Sequence, residues 1–244
     1  MRILTHNAYW FQGCPSRWGR ERAAEAPKVV QALTDLYRSA SPDVVCLQEV
    51  PGAALARDMS QALSLPEWVH AAGGLRPPYG GAILCGRGAC LRDCTRGDGR
   101  PPHDRVHLRA GVACTGDRLE VAAIHLPSNR FAESPEAGDA ARVTELAWVL
   151  AESPRPTVIV GDLNCLPGSP PYRVLEKAGY VDAAAAAGAP DAAARRVDYT
   201  WLDADLAGRL VRFAVLDDGP FRRQDAAGNA WRLSDHPPLV VEVQ

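Results

Sequence analysis

Apolar residues recur along this chain in two rhythms, a continuous run of four or five and a helical spacing of three or four. Arg2-Ile3-Leu4-Thr5-His6-Asn7 reads as an opening strand. Ala26, Val29, Val30, Leu33, Leu36 and Tyr37 then mark one apolar face of a helix between roughly Glu21 and Ser39. Asp43-Val44-Val45-Cys46-Leu47 is continuously apolar, as a strand covered on both faces should be. Leu55, Met59, Ala62 and Leu63 predict a second helix, stopped by Pro66, and Gly81 to Cys85 a short strand. Val106 to Cys114 and Leu119 to Leu126 read as paired strands about a turn at Thr115-Gly116-Asp117. Val143, Leu146, Ala147 and Leu150 predict a helix that feeds the buried strand Thr157 to Val160. Three more strands are expected near Tyr199 to Leu202, Val211 to Leu216 and Leu239 to Val243.

Two stretches interrupt the alternation. Ser128 to Asp139 is polar and holds Pro135 and Gly138, and Ala183 to Ala194 is alanine-rich but broken by Gly188 and Pro190. Both are expected to be connections, the second a mobile one. Strand signals continue beyond each, so residues 1–244 are expected to form one mixed α/β domain.

Composition alters this picture in a few respects. Of 244 residues, 47% are hydrophobic and 23% charged, as in an ordinary globular protein, with a formal net charge of -2. That balance argues against general binding of nucleic acid through its phosphate backbone. Only Lys28 and Lys177 are lysines among the 27 basic residues, and codon bias explains this better than selection for phosphate contacts. Of seven cysteines, Cys85, Cys90 and Cys94 cluster without a CxxC pair or a Cys/His ladder. Reduced, mostly buried thiols are the simpler reading, and a structural zinc site stays open. No export signal or bilayer-spanning run is visible, so a cytoplasmic protein with no membrane anchor is expected.

Polar residues stand at the carboxyl ends of several apolar strands, where open α/β sheets place their sites. Asn7, Glu49 and His125 end three of them; Asp162 and Asn164 follow a fourth; Asp235 and His236 precede the last strand. Each alone has a plain alternative. Asn7 also suits a turn cap, Asp162 and Asn164 suit turns, Asp198 a solvated strand start, and His125 a satisfied core imidazole. Taken in order, the segments Leu4-Thr5-His6-Asn7, Leu47-Gln48-Glu49, Gly81 to Leu84, Ile124-His125-Leu126, Gly161-Asp162-Leu163-Asn164, Val197-Asp198-Tyr199 and Ser234-Asp235-His236 span nearly the whole chain. This set resembles the endonuclease/exonuclease/phosphatase superfamily. Its members include pancreatic-type deoxyribonucleases, AP endonucleases, neutral sphingomyelinases and inositol polyphosphate phosphatases.

The resemblance implies an α/β fold of two packed mixed β-sheets flanked by helices, a four-layer α/β/β/α sandwich. It also implies a metal-dependent phosphoesterase using Mg2+, with Mn2+ as a substitute. Glu49 becomes the principal metal ligand, a hard oxygen donor suited to that ion, with Asn7 beside it and Asp235 available to the same or a second ion. Asp162 orients or deprotonates the attacking water, and Asn164 donates to a phosphoryl oxygen. His236 acts on the water or the phosphoryl group, with Asp198 fixing its tautomer. His125 either hydrogen-bonds the phosphate or protonates the leaving oxygen.

Arg105 stands where several family members carry an arginine; a phosphate contact and a surface ion pair both suit it. Arg130, Arg222, Arg223 and Arg232 are candidates for a phosphate-facing rim or for solvated loop positions, and Trp10, Phe11 and Trp18 for a pocket wall or core. AP endonucleases carry an acidic residue two positions after the asparagine, whereas this chain has Tyr9. His125 matches the deoxyribonuclease and sphingomyelinase branches instead. The expected substrate is a soluble phosphate ester of modest size. A nuclease is the alternative, followed by an inactive binding scaffold or a non-hydrolytic phosphoryl-transfer enzyme.

Overall fold

The computed structural model describes residues 1–14, 26–97, 99–114, 117–189, 196–225 and 228–244. Strand β1 (Arg2–Asn7), helix α1 (Pro27–Ala40) and strand β2 (Val44–Gln48) open the chain, with β1 and β2 parallel. Helix α2 (Ala53–Leu63), then β3 (Glu67–Ala71) and β4 (Gly81–Cys85), extend that sheet. Strands β5 (Cys90–Asp93), β6 (His107–Cys114) and β7 (Asp117–His125) begin a second one. Helix α3 (Pro135–Leu150) connects β7 to the parallel strand β8 (Val158–Asp162). Then come α4 (Pro170–Lys177), β9 (Tyr180–Asp182), α5 (Ala183–Ala186), β10 (Asp198–Asp203) and α6 (Ala204–Ala207). Strands β11 (Leu210–Val215), β12 (Arg222–Gln224), β13 (Ala230–Arg232) and β14 (Leu239–Val243) complete the order.

The two mixed sheets have six strands each, ordered β11-β14-β1-β2-β4-β3 and β5-β6-β7-β8-β10-β9, and β12 pairs with β13 separately. Alternation along the strands builds the layers. Val44 and Cys46 of β2 join the core between the sheets, with Val121 and Ala123 of β7 and Val158 and Val160 of β8. Their neighbours Val45 and Leu47 face the other way and pack with Val29, Leu33 and Tyr37 of α1 and Met59 of α2. On the far side, Ala122, Ile124 and Ile159 meet Leu146 and Val149 of α3 and Leu175 of α4. This is the expected α/β/β/α sandwich.

The files that point between the sheets change character at one end. Ile3 and Thr5 lead to Asn7, Val44 and Cys46 to Gln48, Val121 and Ala123 to His125, Val158 and Val160 to Asp162, and Leu202 and Thr200 back to Asp198. Register aligns them: Asn7 lies opposite Gln48, His125 opposite Asp162, and Asp162 opposite Asp198. The carboxyl ends of both parallel pairs therefore deliver polar groups to one mouth of the apolar core.

Several expectations need correction. Ser128 to Asp139 is no loop throughout, because α3 starts at Pro135, with Pro in the first turn and the Ser134 side chain accepting from Ala137 N–H. Ala183–Ala186 is helical rather than part of a mobile connection, capped by Asp182, and residues 190–195 lie outside the described residues. Ala26 is the extended residue that caps α1 and precedes its first turn, and it packs on the same core as Val29, Leu33 and Tyr37. Trp18, residues 21–25 and the turn at 115–116 also lie outside the described residues. Strands β3 and β5 escaped the sequence pattern because they are edge strands with half-buried or exposed side chains.

One backbone position is confined from both sides. Gly161 adopts φ +132°, and a Cβ there would lie 1.9 Å from the Ile124 carbonyl oxygen of the neighbouring strand. Gly161→Ala should lower stability by at least about 1 kcal/mol, read as a shifted denaturation midpoint; an unchanged midpoint would show that β7 and β8 can separate freely.

Candidate active site

The Asp162 carboxylate gathers groups from both sheets. Its Oδ2 accepts from Asn7 Nδ2 at 3.0 Å, across the gap between the sheets, and lies 3.2 Å from His125 Nε2 within its own sheet. Its Oδ1 accepts from the backbone N–H of Asn164 at 3.0 Å. Burial works against an ionised Asp162, but His125, His236 and Arg105 outweigh it and hold the carboxyl below the usual range.

The two histidines of the mouth are held in opposite states. His236 Nδ1 lies 2.6 Å from Asp198 Oδ2, and although burial opposes its charge, Asp198 raises its pKa well above the ordinary value. His125 is fully buried, and burial together with the adjoining Arg105 charge pushes it down to about 4. The Arg105 guanidinium contacts His125 Nε2 and stacks over the Tyr79 ring at 4.3 Å. Arg105 is therefore an interior group at the site, not a surface ion pair.

Glu49 follows β2 in a left-handed conformation, φ +57°, that turns its side chain into the mouth. It is buried, and its Oε2 finds no hydrogen-bond partner among the described residues. Burial pushes its pKa up to about 8, with Asp162 and Asp235 adding to the rise and Arg105 opposing it. A buried carboxylate without a partner is costly unless a cation joins it. Asn7 is aimed at the same place: its amide group donates to Asp162, and its Oδ1 accepts from Tyr9 N–H at 3.1 Å with one lone pair left over. Asp235 is exposed at the rim, 3.9 Å from His236 Nε2. These oxygens fit a hard divalent cation. A second donor set, Asp162, Asp198 and His236, has its ligand atoms within 4.8 Å of one another. The Asp198–His236 ion pair already occupies part of it.

Asn164 is also left-handed, φ +49°, and its Nδ2 donates to the Leu126 carbonyl at 3.1 Å, leaving one amide proton for the mouth. Trp10 sits in a left-handed run, Tyr9 to Phe11, with its indole N–H donating to the Pro78 carbonyl at 2.8 Å. Its ring meets Tyr79 edge-on at 5.2 Å, and Tyr79 meets Phe131 at 5.8 Å. Phe11, by contrast, is core. Arg130 is exposed beside Phe131. Arg222, Arg223 and Arg232 instead line a groove of about 320 Å3 with Cys14 and Trp231, and Arg222 pairs with Asp217 at 2.7 Å.

The sequence segments thus meet in space, and a family model agrees. The model described as Endonuclease/Exonuclease/phosphatase family matches residues 4–236. The chain belongs to this family. Its members are hydrolytic phosphoesterases that act on phosphate esters and are generally dependent on a divalent metal. Solved members share the fold at low identity. A family protein from Bacteroides thetaiotaomicron is 15% identical, covering 99% of this chain and 96% of its own, with a TM-score of 0.72. Sphingomyelinase C from Streptomyces griseocarneus is 17% identical over 100% and 99%, TM-score 0.72, and the mannosyl-6-phosphatase of Bacteroides thetaiotaomicron 16% identical over 100% and 99%, TM-score 0.69. No curated protein sequence gives a significant match. No helix among the described residues is long and apolar enough to cross a membrane.

Sequence reasoning assigned no role to His6, Tyr37 or Ser234, which hold this family site in place. His6 Nε2 donates to the His236 carbonyl at 2.7 Å, so its Nδ1 accepts from the Tyr37 hydroxyl. Ser234 Oγ donates to the Asn7 carbonyl at 2.7 Å and accepts from His236 N–H at 3.2 Å. A buried histidine within the first strand was the one available signal. Tyr37→Phe leaves His6 Nδ1 buried without its donor and should cost about 1–3 kcal/mol, measured by urea denaturation; no loss would mean the contact contributes nothing.

Proposed function

We propose that this chain is a metal-dependent hydrolase of a soluble, small-molecule phosphodiester or phosphomonoester, with Mg2+ as its ion and Mn2+ as a substitute. The observation that carries this reading is the convergence on one mouth of an ionised Asp162, a charged His236 and a buried Glu49 whose Oε2 has no hydrogen-bond partner among the described residues. Glu49, Asn7 and Asp235 would hold the ion, which supplies Lewis-acid neutralisation of a phosphoryl oxygen and the leaving group.

The chain's own groups do the rest. Asp162 orients a water and takes its proton as the water oxygen bonds to phosphorus; the ester P–O bond breaks and the leaving oxygen takes a proton from solvent. His236, kept charged by Asp198, presents its other ring nitrogen to a phosphoryl oxygen. Full burial and a pKa near 4 favour His125 as a neutral group that positions Asp162, rather than as the proton donor. Asn164 offers its remaining amide proton, and Arg105 a fixed positive charge. Trp10, Tyr79 and Phe131, with Arg130 beside them, form a wall suited to the organic part of a small ester.

The test is a panel of nucleotides, sugar phosphates, lipid phosphodiesters and nucleic acids, assayed with and without Mg2+ or Mn2+. Turnover should require metal, and His236→Ala should reduce kcat by about 10^2–10^4-fold with an unchanged circular dichroism spectrum. Added Mn2+ should raise the Tm of the wild type but not of Glu49→Ala. Metal-independent turnover, or turnover unaffected by both substitutions, would refute the reading.

A further inference from the structure

Away from the mouth, a second group of metal-ligating side chains lies at the edge of the second sheet. Cys94 follows β5, His107 opens β6, and Glu152 stands just beyond α3; their ligand atoms all lie within 4.8 Å of one another. His107 is fully buried and its Nε2 has no hydrogen-bond partner among the described residues. Its Nδ1 lies 3.4 Å from Glu152 Oε1 and 3.3 Å from His103 Nε2. Four ligands around zinc at bonds of about 2.0–2.1 Å sit about 3.3–3.4 Å apart, so both separations equal an edge of such a tetrahedron.

We propose that Cys94, His107 and Glu152 form a structural zinc site that fastens the end of α3 to the edge of the second sheet, with His103, which lies outside that 4.8 Å set but 3.3 Å from His107, closing in as the fourth ligand. The surroundings support it. His103 Nδ1 faces Glu145 Oε2 at 3.0 Å, the carboxylate partner that metal-bound histidines usually have, and this leaves the lone pair on Nε2. Glu152 is held by Arg109 at 2.8 Å and Arg100 at 3.1 Å, but Arg109 has its own counter-charge in Glu120 at 3.1 Å. Each carboxylate oxygen has two lone pairs, so Glu152 Oε1 can accept from Arg100 and still ligate. A cleft of about 660 Å3 lined by Cys94, Arg100, Trp148 and Glu152 gives an ion a way in. A thiolate, imidazoles and one carboxylate select zinc over Mg2+. The site also reaches the mouth through the chain, since His103 is two residues from Arg105.

The experiment strips the full chain with chelator, equilibrates it with zinc sulfate, removes free ion by gel filtration and measures zinc by mass spectrometry. Wild type and Glu49→Ala should each retain a zinc ion that Cys94→Ser loses, because Glu49 belongs to the other site. In a parallel readout that needs no variant, zinc should slow alkylation of Cys94 by about tenfold or more, located by peptide mapping, since a metal-bound thiolate is a poor nucleophile. Zinc retained equally by Cys94→Ser, or Cys94 alkylated at the same rate with and without zinc, would overturn the proposal.

Discussion

The hydrogen bond from Asn7 to Asp162 crosses the sandwich and joins its halves where the apolar core ends. Everything at the mouth is arranged about that carboxylate. Two parallel strand pairs, β1 with β2 and β7 with β8, each reached through a helix, bring their carboxyl ends to the same place. A strand presents alternate residues to one face, so one more inward step past Val160 puts a charge where the core had methyl groups. Burying Asp162 is tolerable because Asn7, His125 and the Asn164 N–H satisfy it.

The same low-dielectric end separates the charges of the two histidines. Asp198 beside His236 favours imidazolium, whereas Arg105 beside His125 favours the neutral ring. Glu49 Oε2 has no hydrogen-bond partner among the described residues, and the side chain is held inward by a left-handed backbone that a non-glycine residue adopts at a cost of about 1–3 kcal/mol. Asn164 and the Tyr9 to Phe11 run share that conformation. Strained residues gather around the proposed reaction centre, held there by the two sheets behind them.

Much of this was legible in the sequence, for identifiable reasons. Strands β2, β4 and β8 are buried on both faces, so they appear as continuous apolar runs, and the polar residues that end β2 and β8 mark the mouth, whereas the antiparallel β4 ends away from it. The ordered segments from Leu4 to His236 carried the family, and the family carried the four layers. Edge strands β3 and β5 carry no such pattern, because solvent rather than a core lies on much of their surface. The start of α3 was hidden by Pro135 and Gly138, residues that usually signal loops, although a proline in the first turn is compatible with helix. The pairing of His6 with Tyr37 and the meeting of Cys94 with Glu152 join residues 31 and 58 positions apart, beyond any local pattern.

The central claim is that the mouth directs a water oxygen onto phosphorus. Turnover of the best panel substrate with Mg2+ in water enriched in oxygen-18, followed by mass spectrometry of both products, tests it most directly. The account predicts one heavy oxygen in the phosphoryl product and none in the alcohol. Heavy oxygen in the alcohol, or in neither product, would contradict it.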